Sequence, residues 1–345
     1  MAQLLQTEIS GSNDNTGSLI ITGSQPIQLP LLNSGSGEVT SDVGYQFWFD
    51  SGDQYVKYNT IGSFRTGAWS TGGALSCARY LLAGAGSTQA DSMTFGGYIA
   101  PATYVSLTEE YDGTSFTTGG NLIQARSHMD GAGTQNAGMT AGGYNGGAKS
   151  CTEEYDGTSW AAGGAIIQAR YNLAITGTQN AGLAAGGQTP TVLSCTEEYN
   201  GSSWSAGGAL ITARRGLGGG GTQDSTTVAG GATPAMKTCT ESYNGTSWSV
   251  GGAMITARAN IKLAGSNQYS IIGAGGATPT IVSCAEAYDG TSWTVQSSLP
   301  VAVNNQGVGG NANNSIFAGG NTPSANITSN FEGAKHTVME LINSY

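Results

Sequence analysis

The chain has 345 residues, of which 56 are glycine and only 10% are charged, and its formal net charge is −10 at neutral pH. No strict Gly-X-Y triplet occurs, which excludes a collagen helix, and no cluster of Lys or Arg forms the basic patch that a nucleic-acid partner requires. No apolar run approaches the roughly 20 residues of a membrane-spanning helix.

The first 45 residues differ from the rest of the chain. They contain short apolar segments punctuated by Gly, Ser and Thr, such as TGSLIITGS at 16–24. A strand of this kind has no core of its own and must dock on another surface. We therefore predict an N-terminal docking arm over residues 1–45 and a second domain over residues 46–345.

From about residue 54 onward the sequence repeats with a period of 44 to 46 residues. Three markers recur: a pair of glycines, an aromatic residue that is usually tryptophan, and an arginine. The glycines are Gly96, Gly97, Gly142, Gly143, Gly186, Gly187, Gly230, Gly231, Gly275, Gly276, Gly319 and Gly320. The other two markers are Trp160, Trp204, Trp248, Trp293, Arg126, Arg170, Arg214 and Arg258, with Trp69, Phe116 and Arg79 as further copies. A fixed period of this length indicates one supersecondary unit copied many times, and it assigns these residues a structural role.

Each unit contains four short extended segments. Between Arg170 and Trp204 we predict them at 172–175, 181–185, 194–199 and around Trp204. The second segment consists of small residues, so we place it innermost, against its copies around an axis. Asn200-Gly201 predicts a two-residue type I′ turn between the third and fourth segments. Four antiparallel strands without helical periodicity are typical of one blade of a β-propeller.

The same residues resemble the kelch motif. A Gly pair closes the second strand, Glu197 and Tyr199 lie in the third, Trp204 lies in the fourth, and Arg214 opens the next unit. The resemblance covers residues 54–333 and implies a closed ring, for which the register gives six blades. We therefore predict an all-β fold: a six-bladed kelch-like β-propeller with an N-terminal extended β-arm. The predicted blades span 79–116, 126–160, 170–204, 214–248 and 258–293, with a last blade at 300–333 closed with 54–69.

Closure of the ring leaves two arrangements open. In the first, which we favour, residues 54–59 and the strand with Trp69 are the third and fourth strands of a blade whose first two strands are 301–308 and 315–320. This shared blade leaves no exposed edge. In the second, Phe331-Glu332-Gly333 forms the third-strand turn, so that the C-terminal segment completes the last blade and the N-terminal strands are additional.

No catalytic constellation, metal site or cofactor site is evident in the sequence. His128 and His336 are the only histidines, which is too few for the copper site of kelch-type oxidases together with their other ligands. Four acidic residues break the repeat, but they lie in scattered turns with no pairing pattern: Asp42, Asp91, Asp130 and Asp224. Four cysteines share one repeat position, too far apart for disulfides or for one zinc ion, and are expected to act as small apolar groups: Cys151, Cys195, Cys239 and Cys284.

Binding is expected at positions that differ between the repeats, in the loops that follow the Gly pairs. Three aromatic residues there lie outside the repeat: Tyr98, Tyr104 and Tyr144. Such residues stack on a sugar or on a protein partner, or they simply cover the tops of the blades.

The N-terminal segments and VGYQFWFD at 43–50 are similar to the opening strands of structural proteins of tailed bacteriophages. The resemblance implies a non-enzymatic virion protein, a tail, baseplate or fibre component present in several copies in the particle. Residues 1–45 would bind other virion proteins, and the propeller would bind either a neighbouring virion protein or a host-surface glycan or receptor. No cofactor, nucleic acid or membrane insertion is expected. The alternative is a secreted bacterial kelch lectin or a carbohydrate-active propeller enzyme.

Overall fold

The computed structural model describes residues 27–29, 43–50, 55–62, 67–321 and 325–333. They belong to two compact units, one within residues 1–63 and the other within residues 64–335. Of the predicted arm at 1–45, only residues 27–29 and 43–45 lie within the described part of the chain. In the first unit, Ile27–Leu29, Val43–Asp50 and Tyr55–Gly62 form an antiparallel sheet in that order. The described residues include no helix, and so none that is long and apolar enough to cross a membrane.

The second unit is a six-bladed β-propeller, which confirms the predicted all-β fold and the number of blades. Each blade is an antiparallel sheet whose four strands lie side by side in the order first to fourth. Blades 1 to 3 comprise Ala83–Thr88, Asp91–Phe95, Thr108–Tyr111 and Phe116–Thr118; Asp130–Thr134, Ala137–Ala141, Thr152–Tyr155 and Trp160–Gly163; and Ala174–Thr178, Ala181–Ala185, Thr196–Tyr199 and Trp204–Ala206. Blades 4 to 6 comprise Arg215–Thr222, Ser225–Thr233, Thr240–Tyr243 and Trp248–Val250; Lys262–Asn267, Ser270–Ala274, Ala285–Tyr288 and Trp293–Gln296; and Gly307–Asn311, Asn314–Ala318, Thr328–Glu332 and Ala68–Thr71.

Short additional strands lie in the loops between second and third strands. They are Tyr98–Ile99 with Thr103–Tyr104, Gln188–Thr189 with Thr191–Val192, Ala277–Thr278 with Thr280–Ile281, and Ala235–Met236, which pairs with the end of Ser225–Thr233.

The first strand of each blade, not the second, lies next to the axis, so the predicted order was wrong at this point. Crowding at the axis selects for glycine more strongly than for alanine. A Cβ atom on Gly131 would lie 2.6 Å from the carbonyl oxygen of Gly84, and one on Gly309 would lie 2.7 Å from that of Ala85. The second strand carries side chains buried between neighbouring blades, such as those of Phe95 and Met139.

The turn between the third and fourth strands is also not the predicted two-residue type I′ turn. In blade 3, Tyr199 pairs with Trp204, which leaves a four-residue loop. The Asn200 side-chain oxygen accepts hydrogen bonds from the backbone N–H groups of Ser202 and Ser203 at 3.0 and 2.9 Å. Because Asn200 bonds locally in this way, only Gly201 needs a positive φ, of 87°. Equivalent backbone N–H groups, from Ser115 and Thr114 in blade 1 and from Ser159 and Thr158 in blade 2, hold the pKa of the Asp112 and Asp156 carboxyls below the ordinary value.

Two hydrogen bonds recur between neighbouring blades. The indole N–H of Trp204 donates to the hydroxyl of Thr152 in the preceding blade at 2.9 Å. The hydroxyl of Tyr199 donates to Glu154 of the same preceding blade at 2.5 Å. Burial and then this hydrogen bond raise the pKa of Tyr199 to about 12. Equivalent tryptophan bonds are made by Trp160, Trp248 and Trp293, so the aromatic position of the repeat links one blade to the next.

A buried ion pair anchors the linker that enters each of blades 1 to 5. In blade 3, Arg170 lies 2.9 Å from Glu197, and the same carboxylate accepts backbone N–H groups from Ile167 and Gln168. The other pairs are Arg79–Glu109, Arg126–Glu153, Arg214–Glu241 and Arg258–Glu286. In blade 6, Val303 and Ser329 occupy the two positions, so both charges are absent together.

The repeated cysteines are free and half-buried next to these arginines. Cys195 accepts a hydrogen bond from the Arg170 guanidinium at 2.5 Å, and Cys239 accepts one from Arg214 at 2.8 Å. The thiols are therefore polar acceptors for the buried guanidinium groups and not only the small apolar groups that the sequence predicts.

The ring closes through blade 6, where the C-terminal part supplies three strands and the N-terminal part of the unit supplies the fourth. Phe331 pairs with Trp69, and the Trp69 indole N–H donates to the carbonyl oxygen of Ser297 at 2.7 Å. The predicted role of Trp69 is therefore correct, but the predicted third strand at 54–59 is not. Tyr55–Gly62 instead pairs along its whole length with Val43–Asp50. The third strand of blade 6 is Thr328–Glu332. Its residue Phe331 occupies the position at which the third strands of the other blades have tyrosine.

The junction between blades 6 and 1 lacks the recurring tryptophan hydrogen bond. Phe116 replaces tryptophan there, and the buried hydroxyl of Thr328 has no hydrogen-bond partner among the described residues. Substitution Phe116→Trp should restore the bond and raise the free energy of unfolding by about 1 kcal/mol, measured by urea denaturation. The reverse change Trp160→Phe, which removes an existing bond, should lower it by a similar amount. A neutral Phe116→Trp variant beside a destabilised Trp160→Phe variant would contradict this reading.

The paired absence of both charges in blade 6 predicts coupling within the other ion pairs. Arg170→Val alone should cost about 3–5 kcal/mol of stability, because it leaves the Glu197 carboxylate buried without its counter-ion. Adding Glu197→Ser, which reproduces the Val303/Ser329 combination, should recover part of that loss. Unfolding free energies of the two single variants and the double variant test this, and a double variant that loses the sum of the single losses would disprove the coupling.

Candidate functional site

The propeller has two different faces. The loops between second and third strands and the linkers between blades lie on one side, which we call the linker face. The turns that join first to second and third to fourth strands lie on the other, which we call the turn face. Both follow from the antiparallel strand order of the blades.

Six aromatic side chains form one continuous group on the linker face of blades 1 to 3. We call it the aromatic belt; its members are Tyr80, Tyr98, Tyr104, His128, Tyr144 and Tyr171. Successive tyrosine rings have centroids 5.5, 5.2, 6.2 and 5.0 Å apart along the series Tyr80, Tyr98, Tyr104, Tyr144, Tyr171. The His128 ring contacts Tyr144 and Tyr171 at 5.9 and 5.7 Å. Most of these pairs are edge-to-face, and all six side chains are partly exposed.

The fold brings the three predicted tyrosines together. Tyr98 and Tyr104 face each other across the short hairpin in the second-to-third loop of blade 1. Tyr144 occupies in blade 2 the position that Tyr98 has in blade 1, and bridges to Ser127. The equivalent residues in the later blades are Gln188, Ala232, Ala277 and Asn321, which explains why the belt ends at blade 3.

Sequence reasoning missed the other three members of the belt. Tyr80 and Tyr171 each follow the arginine of the repeat, where the other blades have Ser127, Arg215, Ala259 and Asn304. Alignment of the position after the arginine would have shown both tyrosines as departures from the repeat. The sequence analysis considered His128 only as a copper ligand, because the proximity of this residue to the axis depends on the closed ring.

The histidine of the belt carries no charge at neutral pH. Burial lowers the pKa of His128 to about 4, so its imidazole is neutral, and its Nδ1 lies 2.7 Å from the Ser127 hydroxyl. Burial, followed by the neighbouring Tyr144 and Tyr98, raises the pKa of Tyr104. The Tyr98 hydroxyl donates to the carbonyl oxygen of Pro101 at 2.7 Å, which fixes one ring of the hairpin.

His128 also belongs to a closed ring of six backbone hydrogen bonds around the axis. Each N–H in the ring donates to the carbonyl oxygen of the equivalent residue in the preceding blade, at 2.7 to 3.3 Å. All members have φ between 55° and 63°: Leu81, His128, Asn172, Gly216, Asn260 and Asn305. Asn and Gly tolerate this left-handed conformation best, and they fill four of the six positions. At the linker face, this ring leaves only a small central cavity of about 30 Å³.

Beyond the ring, the central channel widens into a cavity of about 410 Å³ that is lined by the first strands of all six blades. An ion pair lies between the two cavities: the Lys262 ammonium is 2.6 Å from the Asp130 carboxylate, across the axis from blade 5 to blade 2. The equivalent residues of the other blades are Ala83, Ala174, Gly218 and Gly307. The sequence analysis placed Asp130 in a turn, and this was wrong, because Asp130 begins the first strand Asp130–Thr134. It did not consider a lysine as the partner of this carboxylate. The partner lies 132 residues away, and only alignment of the first axial residue of each blade would pair the two charges.

The two faces differ in exposed charge and in exposed apolar area. On the linker face, four isoleucines at one repeat position are 56% to 65% exposed: Ile123, Ile167, Ile211 and Ile255. The same face carries Lys149, Arg215 and Lys237. The turn face carries the aspartates Asp91, Asp112, Asp156, Asp224 and Asp289. The repeated exposed isoleucines therefore lie on the linker face, and the repeated aspartates lie on the turn face.

The described residues contain no group of three or more His, Cys, Asp or Glu side chains placed to hold a metal ion. Asp91 begins the second strand of blade 1, and Asp224 lies in the first-to-second turn of blade 4, so the two are in separate blades. Asp42 and His336 lie outside the described residues.

Comparison of the chain with models of known protein families found no match, and comparison with curated proteins found none either.

The lowered pKa of His128 predicts acid sensitivity of the propeller. As pH falls from 6.5 towards 4, the unfolded chain binds a proton at this residue and the folded chain does not, so stability should fall across that window. His128→Asn places at this position the residue found in blades 3, 5 and 6, which tolerates the left-handed backbone, and it removes the titration. The variant should lose less stability than the parent chain between these pH values, as measured by urea denaturation. Identical pH profiles would contradict the prediction.

Proposed function

We propose that this chain is a kelch-type propeller that serves as a non-enzymatic structural protein in the virion of a tailed bacteriophage. It would be a tail, baseplate or fibre component, present in several copies. Residues 1–45 would dock on other virion proteins, and the propeller would act as an interaction or host-recognition module through its linker face.

The aromatic belt is the observation that carries the recognition role. It is built from residues that differ from blade to blade, whereas the arginines, glutamates and tryptophans that hold the ring are copied. A rigid scaffold with a local departure from the repeat on one face is the usual arrangement for a binding surface. Tyrosine gives a large contact area at a low cost in conformational entropy.

The kelch and virion assignments rest on the sequence. The order of Gly pair, Tyr, Trp and Arg supports the kelch type, and the segments at 16–24 and 43–50 support a virion protein.

Particles purified from a producing culture provide the test. Mass spectrometry should detect the chain at several copies per particle. Deletion of residues 2–45 in the phage genome should give particles that lack the chain, while soluble propeller accumulates in the lysate. Substitutions in the aromatic belt, such as Tyr144→Ala, should leave incorporation unchanged and reduce adsorption to host cells. Absence of the chain from particles, or cleavage of a host polysaccharide by the purified chain, would overturn the proposal.

A further inference from the structure

We propose that the aromatic belt binds an elongated, uncharged glycan, whose successive sugar rings stack on the tyrosines of blades 1 to 3. This inference rests on the proposed function, which makes the linker face the recognition surface, and it names the class of ligand.

The shape of the belt favours a linear ligand. Five tyrosines contact one another in series from blade 1 to blade 3, with His128 beside the last two, so the aromatic surface is longer than it is wide. A pyranose presents one apolar C–H face of about the size of a phenol ring, and a chain of pyranoses presents such faces at intervals. A series of amphipathic tyrosine rings matches that pattern, because each ring offers an apolar surface beside a polar hydroxyl.

The polar groups beside the belt suit sugar hydroxyls. Asn172 and Gln188 lie next to Tyr171, and their side chains make no hydrogen bond within the described part of the chain. An amide offers a donor and an acceptor, so each can bind adjacent hydroxyl groups of one sugar. Stacking rings flanked by free amides give both orientation and affinity for a polyhydroxylated ligand.

The electrostatics favour a neutral ligand over an acidic one. The His128 imidazole is neutral at neutral pH, and the belt itself includes no Lys or Arg to pair with a carboxylate or phosphate, since Lys149 and Arg215 of the same face are not among its members. The mutual ring contacts also hold the tyrosines in place before a ligand arrives, which lowers the entropy lost on binding.

A protein partner would need a broad apolar contact area. The exposed isoleucines could supply it, but Ile211 and Ile255 lie at the junctions of blades 3/4 and 4/5, beyond the end of the belt. These two positions therefore separate the alternatives: a protein that covers the linker face would contact them, and a glycan bound along the belt would not.

The test uses the full-length chain and a panel of immobilised neutral and acidic oligosaccharides, with affinities then measured by calorimetry. The chain should bind at least one neutral glycan, and high salt should leave that affinity unchanged, since no ion pair forms. Tyr104→Leu and Tyr144→Leu should each weaken binding about tenfold, and Tyr144→Phe, which keeps the ring, should weaken it much less. The matched control is Tyr269→Leu, which removes a 62% exposed tyrosine from the turn face and should have no effect. Ile211→Ser and Ile255→Ser should also have none.

Three results would overturn the inference: no neutral glycan bound, binding of acidic glycans alone, or equal losses in Tyr144→Leu and Tyr269→Leu. Host adsorption that depends on Ile211 and Ile255 and not on Tyr104 and Tyr144 would assign the face to a protein partner instead. The two proposals fail separately. A chain that is present in particles but binds no glycan disproves only the ligand, and a chain that binds glycan but is absent from particles disproves only the virion role.

Discussion

The closed ring of six backbone hydrogen bonds is the constraint on which the rest of the propeller depends. It forces one residue of every blade into the left-handed conformation and sets where each first strand begins. The first strands then converge so closely that glycine is required at positions such as Gly131 and Gly309. The copied ion pairs and tryptophan hydrogen bonds hold the outer strands at the spacing that this centre demands.

Most of the fold follows from the repeat, because a residue that is present in every unit must meet the same surroundings in every unit. The period and the Gly pairs were enough to predict six four-stranded blades. The order of strands around the axis was not predicted, because alanine-rich and glycine-rich strands are equally small in sequence and differ only in how close a neighbouring backbone comes. The loop at Asn200 was misassigned because the asparagine side chain bonds to the backbone of Ser202 and Ser203, which a dipeptide signal does not reveal.

The candidate site was predicted in part. Tyr98, Tyr104 and Tyr144 stood out because they depart from the repeat, and the structure places them in one contact series. Their contacts with Tyr80, Tyr171 and His128 depend on the angle between neighbouring blades, which no local pattern encodes. The Asp130–Lys262 pair was missed for the same reason, since two opposite blades meet only at the axis. In both cases, departures from the repeat mark the positions, and only closure of the ring decides which of them touch.

The fourth strand of blade 6 has a consequence for the time course of biosynthesis. Ala68–Thr71 leaves the ribosome more than 250 residues before its partner Thr328–Glu332. Blades 1 to 5 can therefore form during translation, but the strand that contains Trp69 stays unpaired until the last strands emerge. The nascent propeller therefore stays open until the end of synthesis. A chain truncated before residue 328 would lack the strand that pairs with Ala68–Thr71, and its ring could not close.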